Sequence, residues 1–292
     1  MSIASIPHFE YHVPKTLEEV LTLLDNYRDE ARIIAGGTDV IPKLKGGVLK
    51  PKHVISLKEV RGLKYIDWDC DTGLRFGAKT PIRVIENNSI VKSQYRALYE
   101  GAHSIASTQV RNIGTIVGNI CNAVPSADSA PALLVLGAKI KILSSNGVRI
   151  VPIEEFFTGV CQTVVASNEL VTEVQIPAME KNADSFYYKT SIRRALDLAL
   201  VGVAAKLVVE DGICKDAKIA LGAVAITPKR AFGGEEMLIG KVLTDDLINT
   251  VANYVSQNEC RPITDIRATA DYRRNLVRLL TRDAIKQAAA HL

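Results

Sequence analysis

The sequence predicts an α+β protein of two domains, and three observations carry that expectation. The chain has 292 residues, about two domains at ~150 residues each. Its composition, 47% hydrophobic and 23% charged, is ordinary globular usage and excludes disordered or fibrous architectures. The hydrophobic period also changes along the chain. Helical repeats and short strands mix in the first half, whereas the last third reads as strands followed by helices, an α+β arrangement rather than another βαβ unit. The polar, strand-poor stretch Pro177–Asp184 sets the expected boundary, between 1–177 and 178–292.

Thr16 and Glu19 have capping-box spacing, and Leu17, Val20, Leu21, Leu24 and Tyr27 repeat on one face, which predicts the first helix. Arg32–Ala35 reads as a buried strand stopped by Gly36-Gly37, and His53–Leu57 as another, with a further strand at Leu74–Ala78. Thr80-Pro81 is expected to start a helix, with threonine as cap and proline at the first helical position, and Ser93–Ile105 reads as one helix. Gln109–Asp128, with glycines at 114 and 118 and asparagines at 112, 119 and 122, is expected to be compact turns crossing a strand or two. A short helix follows over Ala130–Leu136. Asn146-Gly147 between Lys139–Ser144 and Val148–Ile153 is a strong two-residue hairpin signal. Strands are expected at Ser185–Ser191 and Ala199–Val209, the latter turned back at Asp211-Gly212 into Lys218–Val224. Two helices finish the chain, Asp245–Gln257 capped by Thr244 and about Thr269–His291. There is no internal repeat or low-complexity tract.

Lys and Arg total 36 against 32 Asp and Glu, a formal charge of +4 without a basic run, which argues against nucleic acid or an anionic membrane as partner. Apolar stretches such as Ala130–Ala138 fall short of the ~20 residues a membrane span needs. Met1–Glu10 lacks a secretory pattern. Cys70, Cys121, Cys161, Cys214 and Cys260 are too dispersed for a CxxC-based zinc or iron–sulfur site. The expectation is a cytoplasmic protein in a reducing compartment.

Two segments could carry chemistry. In Ile33-Ile34-Ala35-Gly36-Gly37-Thr38-Asp39, a strand ends in two glycines, exposing successive backbone N–H groups with no Cβ to block an anion. A short helix over Thr38–Leu44 would add its positive end. A simple tight turn is the competing reading, because short glycine motifs carry a high false-positive risk. GxGxxG is absent at this turn, which disfavours a Rossmann-type nicotinamide site. The second segment runs from Gln109 to Asp128, where Thr115 and Asn119 stand beside glycines and Asp128 could accept from ribose hydroxyls. Ligand loop and ordinary turn both remain open for it alone.

Together, Ala35–Asp39, Arg111–Ile120, Ser126–Asp128 and the stretch Tyr187-Tyr188-Lys189…Arg193-Arg194…Asp197 resemble the FAD-binding medium subunits of the molybdenum hydroxylases, the family of xanthine, nicotinate and carbon monoxide dehydrogenases. The resemblance covers nearly the whole chain, with order, spacing and length agreeing. It implies an α+β FAD-binding domain over 1–177, with subdomains of about 1–57 and 58–177, followed by a smaller α+β C-terminal domain over 178–292.

By that resemblance, the loop Ile33, Ile34, Ala35, Gly36, Gly37, Thr38, Asp39 and Val40 wraps the FAD pyrophosphate, chiefly through N–H groups at Gly36, Gly37 and Thr38. Thr115, Gly118 and Asn119 match the second phosphate and ribityl loop, with Gly114 allowing close approach. Asp128 matches the acceptor for the adenosine ribose, Val171 an apolar contact near flavin or adenine, and Lys189 a cation at the isoalloxazine edge. Ile105, Ala106, Val110 and Cys121 complete the implied cofactor-binding set. The usual Gly-Gly-Asn reads Val117-Gly118-Asn119 here, which bears on fine geometry. The extra four-iron insert of the aryl-coenzyme A reductases has no cysteine cluster to hold it. No residue is expected to be catalytic and none to bind metal.

Other conspicuous residues have plainer readings. Tyr188 is expected in the core, Cys121 can pack as a small apolar group, and Arg193-Arg194 reads as a solvated pair. His53 and His103 show no partner pattern, and Trp68 is expected partly exposed, as a possible partner contact. The function implied by the resemblance is an electron-transfer flavoprotein. Partners would be a large molybdopterin subunit and a small 2Fe–2S subunit, with NAD or NADP as a candidate acceptor. The alternative is a stand-alone reductase resembling the enolpyruvyl sugar-nucleotide reductases; a scaffold that has lost its flavin is a third class.

Overall fold

The computed structural model describes residues 6–193 and 195–292; Arg194 of the expected arginine pair and the first five residues lie outside them. The chain begins as a three-stranded parallel sheet in which His53–Ser56 lies between Glu10–His12 and Ala31–Ile34. Parallel strands require crossovers, and the helix Leu17–Tyr27 lies in the connection from the first strand to Ala31–Ile34, as Val40–Lys45 does in the connection from there to His53–Ser56. The cap of Leu17–Tyr27 is the expected one: Thr16 Oγ1 accepts from Glu19 N–H at 3.2 Å, while Glu19 reaches back to accept from Lys15 N–H at 2.6 Å. Val20, Leu21 and Leu24 are buried against Ile55 and Leu57, each contributing about 1.5–3 kcal/mol.

A five-stranded antiparallel sheet follows, in the order Ile66–Asp69, Gly73–Gly77, Leu170–Ile176, Lys139–Ser144, Gly147–Pro152. The expected hairpin joins the last two, but its two-residue turn is Ser145-Asn146, one residue earlier than predicted, and Gly147, at φ +127°, opens the second strand opposite Ser144. Leu170–Ile176, at the centre of the sheet, was not among the expected strands. It pairs with partners about thirty and a hundred residues earlier in the chain, a relation with no local signature.

The third sheet is antiparallel, Ala183–Thr190, Val201–Glu210, Ile213–Gly222 and Lys229–Arg230. Val201–Val208 is buried on both faces, so it reads as a near-continuous apolar run. Val203, Ala205 and Leu207 face a cluster built with helices Asp245–Tyr254 and Ala270–Ala289, while Ala204 joins the main core beside Tyr187. Lys206 lies in this strand with its side chain 5% exposed, offset by an ion pair to Glu180 at 2.5 Å.

Several expectations are corrected. Gln109–Asp128 is not turns and strands but two short helices, Thr108–Ile113 and Ile116–Asn122. Ser107 and Thr115 cap them through Val110 and Gly118 N–H, and burial of Ile116, Val117 and Ile120 overrides the poor propensity of glycine and asparagine. The expected single helix Ser93–Ile105 is interrupted at Tyr95, between Ser89–Gln94 and Arg96–Ser104. Thr80 caps nothing: its hydroxyl donates to Tyr65 C=O and accepts from Tyr65 N–H, and Pro81 occupies the cap position of Ile82–Asn87. The helix Phe232–Leu238 was not anticipated. His53 and His103 do have partners: His12 and Glu10 for the first, Glu86 for the second.

Candidate functional site

The two glycine-bearing segments meet. A Cβ built on Gly36 would stand 2.0 Å from the carbonyl oxygen of Ile113 and 3.0 Å from Gly114 Cα, so only glycine permits the two backbones to lie this close. Gly37 adopts φ +73°, a left-handed conformation that turns the chain from the Ala31–Ile34 strand into the helix Val40–Lys45. Among the described residues, the N–H groups of Gly36, Gly37, Thr38 and Asp39 have no hydrogen-bond partner within the chain. Lys43, on that helix, donates to Asn122 Oδ1 at the end of Ile116–Asn122, a second tie between the segments.

Between them opens a cleft of about 630 Å³. Ile33, Ala35, Gly36, Gly37, Thr38, Asp39 and Val40 line one wall, and Ile105, Ala106, Val110, Gly114, Thr115, Gly118, Asn119 and Cys121 another, with Asp128 and Val171 beyond them. Ile34 and Lys189 are not on its walls. Val117, the departure from the family pattern, is 5% exposed and packs in the main core. Burial pushes the Cys121 thiol up to about 12, so it stays protonated. Ser129, fully buried, donates its hydroxyl to Asn119 Oδ1 at 2.6 Å, which leaves the Asn119 amide N–H groups for the cleft.

Asp128 is held from behind. Tyr187 Oη donates to its Oδ1 at 3.0 Å and Lys189 Nζ to its Oδ2 at 2.7 Å. Burial pushes its carboxyl up to about 6 against the opposing pull of Lys189 and Tyr187. Lys189 spends its other two protons on the carbonyls of Ser104 and Asp197, at 3.1 and 2.9 Å. Its ammonium is therefore fully engaged in joining Asp128 to the backbone at Ser104 and Asp197, rather than projecting into the cleft. Asp197 in turn accepts from Arg193 and Leu198 N–H, and Leu196 N–H donates to Ala106 C=O. Tyr188 packs with the helical cluster on the opposite face of its strand, as its core reading expects. Tyr187 is the tyrosine that reaches the site.

A buried ion-pair network fixes the second segment. Glu86, with its side chain 3% exposed, accepts from Arg111 Nε at 3.0 Å, Arg83 at 3.0 Å and His103 at 2.8 Å. Burial alone would raise the Glu86 carboxyl; hydrogen bonds from His103, Arg83 and Arg111 outweigh it and hold the group below its ordinary range. Arg111 Nη1 also donates to Ile105 C=O at 2.9 Å, pinning the start of the cleft wall.

Sequence reasoning missed two wall segments. One is the turn after the first helix, Arg28 and Asp29; the other is the stretch containing Thr163, Val165, Ser167 and Glu169. Asn168 Nδ2 donates to Asp25 Oδ1 at 3.0 Å and brings these segments together across 143 residues. Neither carries a local motif.

The geometry has counterparts among known proteins. The family described as FAD binding domain in molybdopterin dehydrogenase matches residues 7–179, and CO dehydrogenase flavoprotein C-terminal domain matches 186–288. The chain is 36% identical over 283 residues to the glyceraldehyde dehydrogenase medium chain of Sulfolobus acidocaldarius, covering 97% of this chain and 99% of that one. It is 32% identical to the xanthine dehydrogenase FAD-binding subunit of Escherichia coli O157:H7, over 96% of both. Among solved structures, carbon monoxide dehydrogenase from Hydrogenophaga pseudoflava superposes with a TM-score of 0.93 at 31% identity, covering 98% of this chain and 99% of that one. Quinoline 2-oxidoreductase from Pseudomonas putida 86 gives 0.91 at 30%, with the same coverage.

Proposed function

Because the chain belongs to the FAD-binding medium subunits of the molybdenum hydroxylases, we propose that its cleft holds FAD between the two glycine-bearing segments and that it serves as the electron-transfer subunit of a multi-subunit oxidoreductase. The single observation that carries this reading is their convergence. The Gly36 backbone lies against Ile113 and Gly114, and the N–H groups of Gly36–Asp39, without partners among the described residues, line one cleft together with Asn119. That donor set, with no Cβ at two positions, suits a pyrophosphate. FAD, when bound, takes electrons singly and releases them in pairs, which is the redox chemistry a protein fold cannot itself supply.

The chain's own residues bind and orient. Gly36, Gly37 and Thr38 offer N–H donors to the phosphates, Asn119 and Thr115 offer amide and hydroxyl groups, and Asp128 presents its carboxylate to the adenosine ribose. Val171, Ile105, Ala106 and Val110 supply apolar wall. Lys189 acts indirectly in this reading: it holds Asp128 and the backbone at Asp197 in register and keeps positive charge near the cleft without entering it. Residues 1–177 form the FAD-binding domain and 178–292 the C-terminal domain. The hydrophobic clusters support this division, although Tyr187, Ala204 and Ala220 of the later segment join the main core.

Electrons would arrive from a 2Fe–2S subunit fed by a molybdopterin subunit and leave to a soluble acceptor such as NAD or NADP, in the cytoplasm. Among the described residues, no helix is long and apolar enough to cross a membrane. The test is to purify the chain and titrate the apoprotein with FAD. One equivalent bound, with a resolved visible flavin spectrum, is expected, and the isolated chain supplied with NADPH should reduce no separate organic substrate. A chain that takes up no FAD sinks the reading, and rapid NADPH-dependent substrate reduction by the isolated chain would instead point to a stand-alone reductase.

A further inference from the structure

Away from the cleft, the first sheet brings together two imidazoles and a carboxylate. Glu10 and His12 are two residues apart on one strand, so they share a face, and Glu10 stands directly opposite His53 in the parallel register. His12 Nε2 lies 3.1 Å from His53 Nδ1, Glu10 Oε2 lies 3.3 Å from the same Nδ1, and Glu10 Oε2 lies 3.9 Å from His12 Nε2. The imidazoles are largely buried, with side chains 13% and 14% exposed, whereas Glu10 faces solvent at 63%. Tyr27 braces them: its ring stacks on His53 with centroids 3.6 Å apart and an interplanar angle of 14°, and on His12 at 5.2 Å.

From these residues we propose that Glu10, His12 and His53 form a binding site for one divalent transition-metal ion of the zinc class. The three separations decide the size of the ion. A triangle with sides of 3.1, 3.3 and 3.9 Å has its equidistant point about 2.0 Å from each corner, which matches Zn–N bonds of ~2.0–2.1 Å and Zn–O bonds of ~2.0–2.2 Å. Calcium, at ~2.3–2.6 Å and with oxygen ligands, fits neither the spacing nor the donors. Two imidazole nitrogens and one carboxylate oxygen are a borderline set suited to zinc, cobalt or nickel. Hydrogen bonding alone serves the group less well. His53 Nδ1 faces two partners at once and can direct a single N–H toward only one of them, whereas a cation accepts a lone pair from all three donors. With three protein ligands, a fourth position stays open toward solvent beside Glu10. The ion would staple the first strand to its neighbour across 41 residues of sequence.

The proposal is independent of flavin binding, and its test is run on the full-length subunit with FAD bound. After chelator treatment, the protein is titrated with Co²⁺, followed by competition with Zn²⁺. The expected result is one equivalent of Co²⁺ bound with a micromolar or tighter Kd and visible d–d bands beyond the flavin absorption. Zn²⁺ should displace it and raise Tm. His12→Gln and His53→Gln should each weaken binding at least ~tenfold, His291→Gln should not, and all should keep their FAD content. Glu10→Gln, a change at an exposed side chain, should weaken binding as well and keeps the test decisive if a histidine variant fails to fold. No uptake of either ion below ~1 mM would identify a hydrogen-bonded imidazole pair and overturn the proposal. So would uptake that is indifferent to all three ligand substitutions.

Discussion

Replacing Gly36 by alanine adds one methyl group where the two segments of the cleft touch. The added Cβ would stand 2.0 Å from Ile113 O, 2.6 Å from Ile113 C and 3.0 Å from Gly114 Cα. An ordinary carbon–oxygen contact is ~3.3 Å or more, so one backbone must move by over ~1 Å, and no side-chain rotation can relieve it because every clashing atom is main chain. Overpacking of this kind costs ~1–3 kcal/mol, and an all-backbone clash belongs at the upper end. The displacement also carries the N–H groups of Gly36–Asp39 away from Asn119. Losing two hydrogen bonds to a charged phosphate, at about 1.5 kcal/mol each, corresponds to FAD binding ~100-fold weaker. The assay is titration of apoprotein with FAD by quenching of flavin fluorescence, paired with thermal unfolding. Gly240→Ala is the control: φ +76° imposes backbone strain there, with nothing within 4 Å of the new Cβ, so it should lose stability and keep FAD affinity. If Gly36→Ala binds FAD within about threefold of the parent with an unchanged Tm, the meeting of the two segments does not hold the cofactor.

Asp128 should give stability an unusual pH dependence. Its folded-state pKa of about 6 lies above the ordinary 3.8, so the folded state holds the proton more tightly. This group's contribution is therefore greatest below about pH 4 and is lost as pH rises to about 6, the reverse of an ordinary salt-bridged carboxylate. Asp128→Asn should remove that slope in denaturant titrations run across this range; an unaltered slope would contradict the assignment. Glu86→Ala leaves Arg111 charged and buried without its partner and should cost ~3–5 kcal/mol, read as a lowered urea midpoint together with weaker FAD binding. Because Glu86 sits below its ordinary pKa of 4.5 when folded, its stabilisation is present above that value and is lost as pH falls below it. Ser129→Ala frees the Asn119 amide to rotate; about 1 kcal/mol of stability and roughly a fivefold loss in FAD affinity are expected by titration, and no loss of affinity would mean that Asn119 is not held for the ligand.

The devices that the sequence by itself determined are those whose physics is local. Thr16 caps its helix, Asn146-Gly147 marks a hairpin to within one residue, Asp211-Gly212 reverses the long strand, and Gly36-Gly37 ends a strand in bare N–H groups. Each depends on a few neighbouring φ and ψ angles and on one or two side chains, so each is legible in a short window. Tertiary structure alone decided the rest. It made helices of residues 108–122 by burying Ile116 and Ile120, where glycine and asparagine read as turns. It placed Leu170–Ile176 at the centre of a sheet, and it used Asn168 and Asp25 to close the far wall of the cleft. It aimed all three protons of Lys189 at protein oxygens, though the resemblance placed that residue beside the ring. It set His53 against His12 and Glu10, which nothing in their spacing announced. These contacts join groups tens to more than a hundred residues apart. Their energy comes from burial and pairing that exist only once the chain has closed on itself, so no local period could encode them.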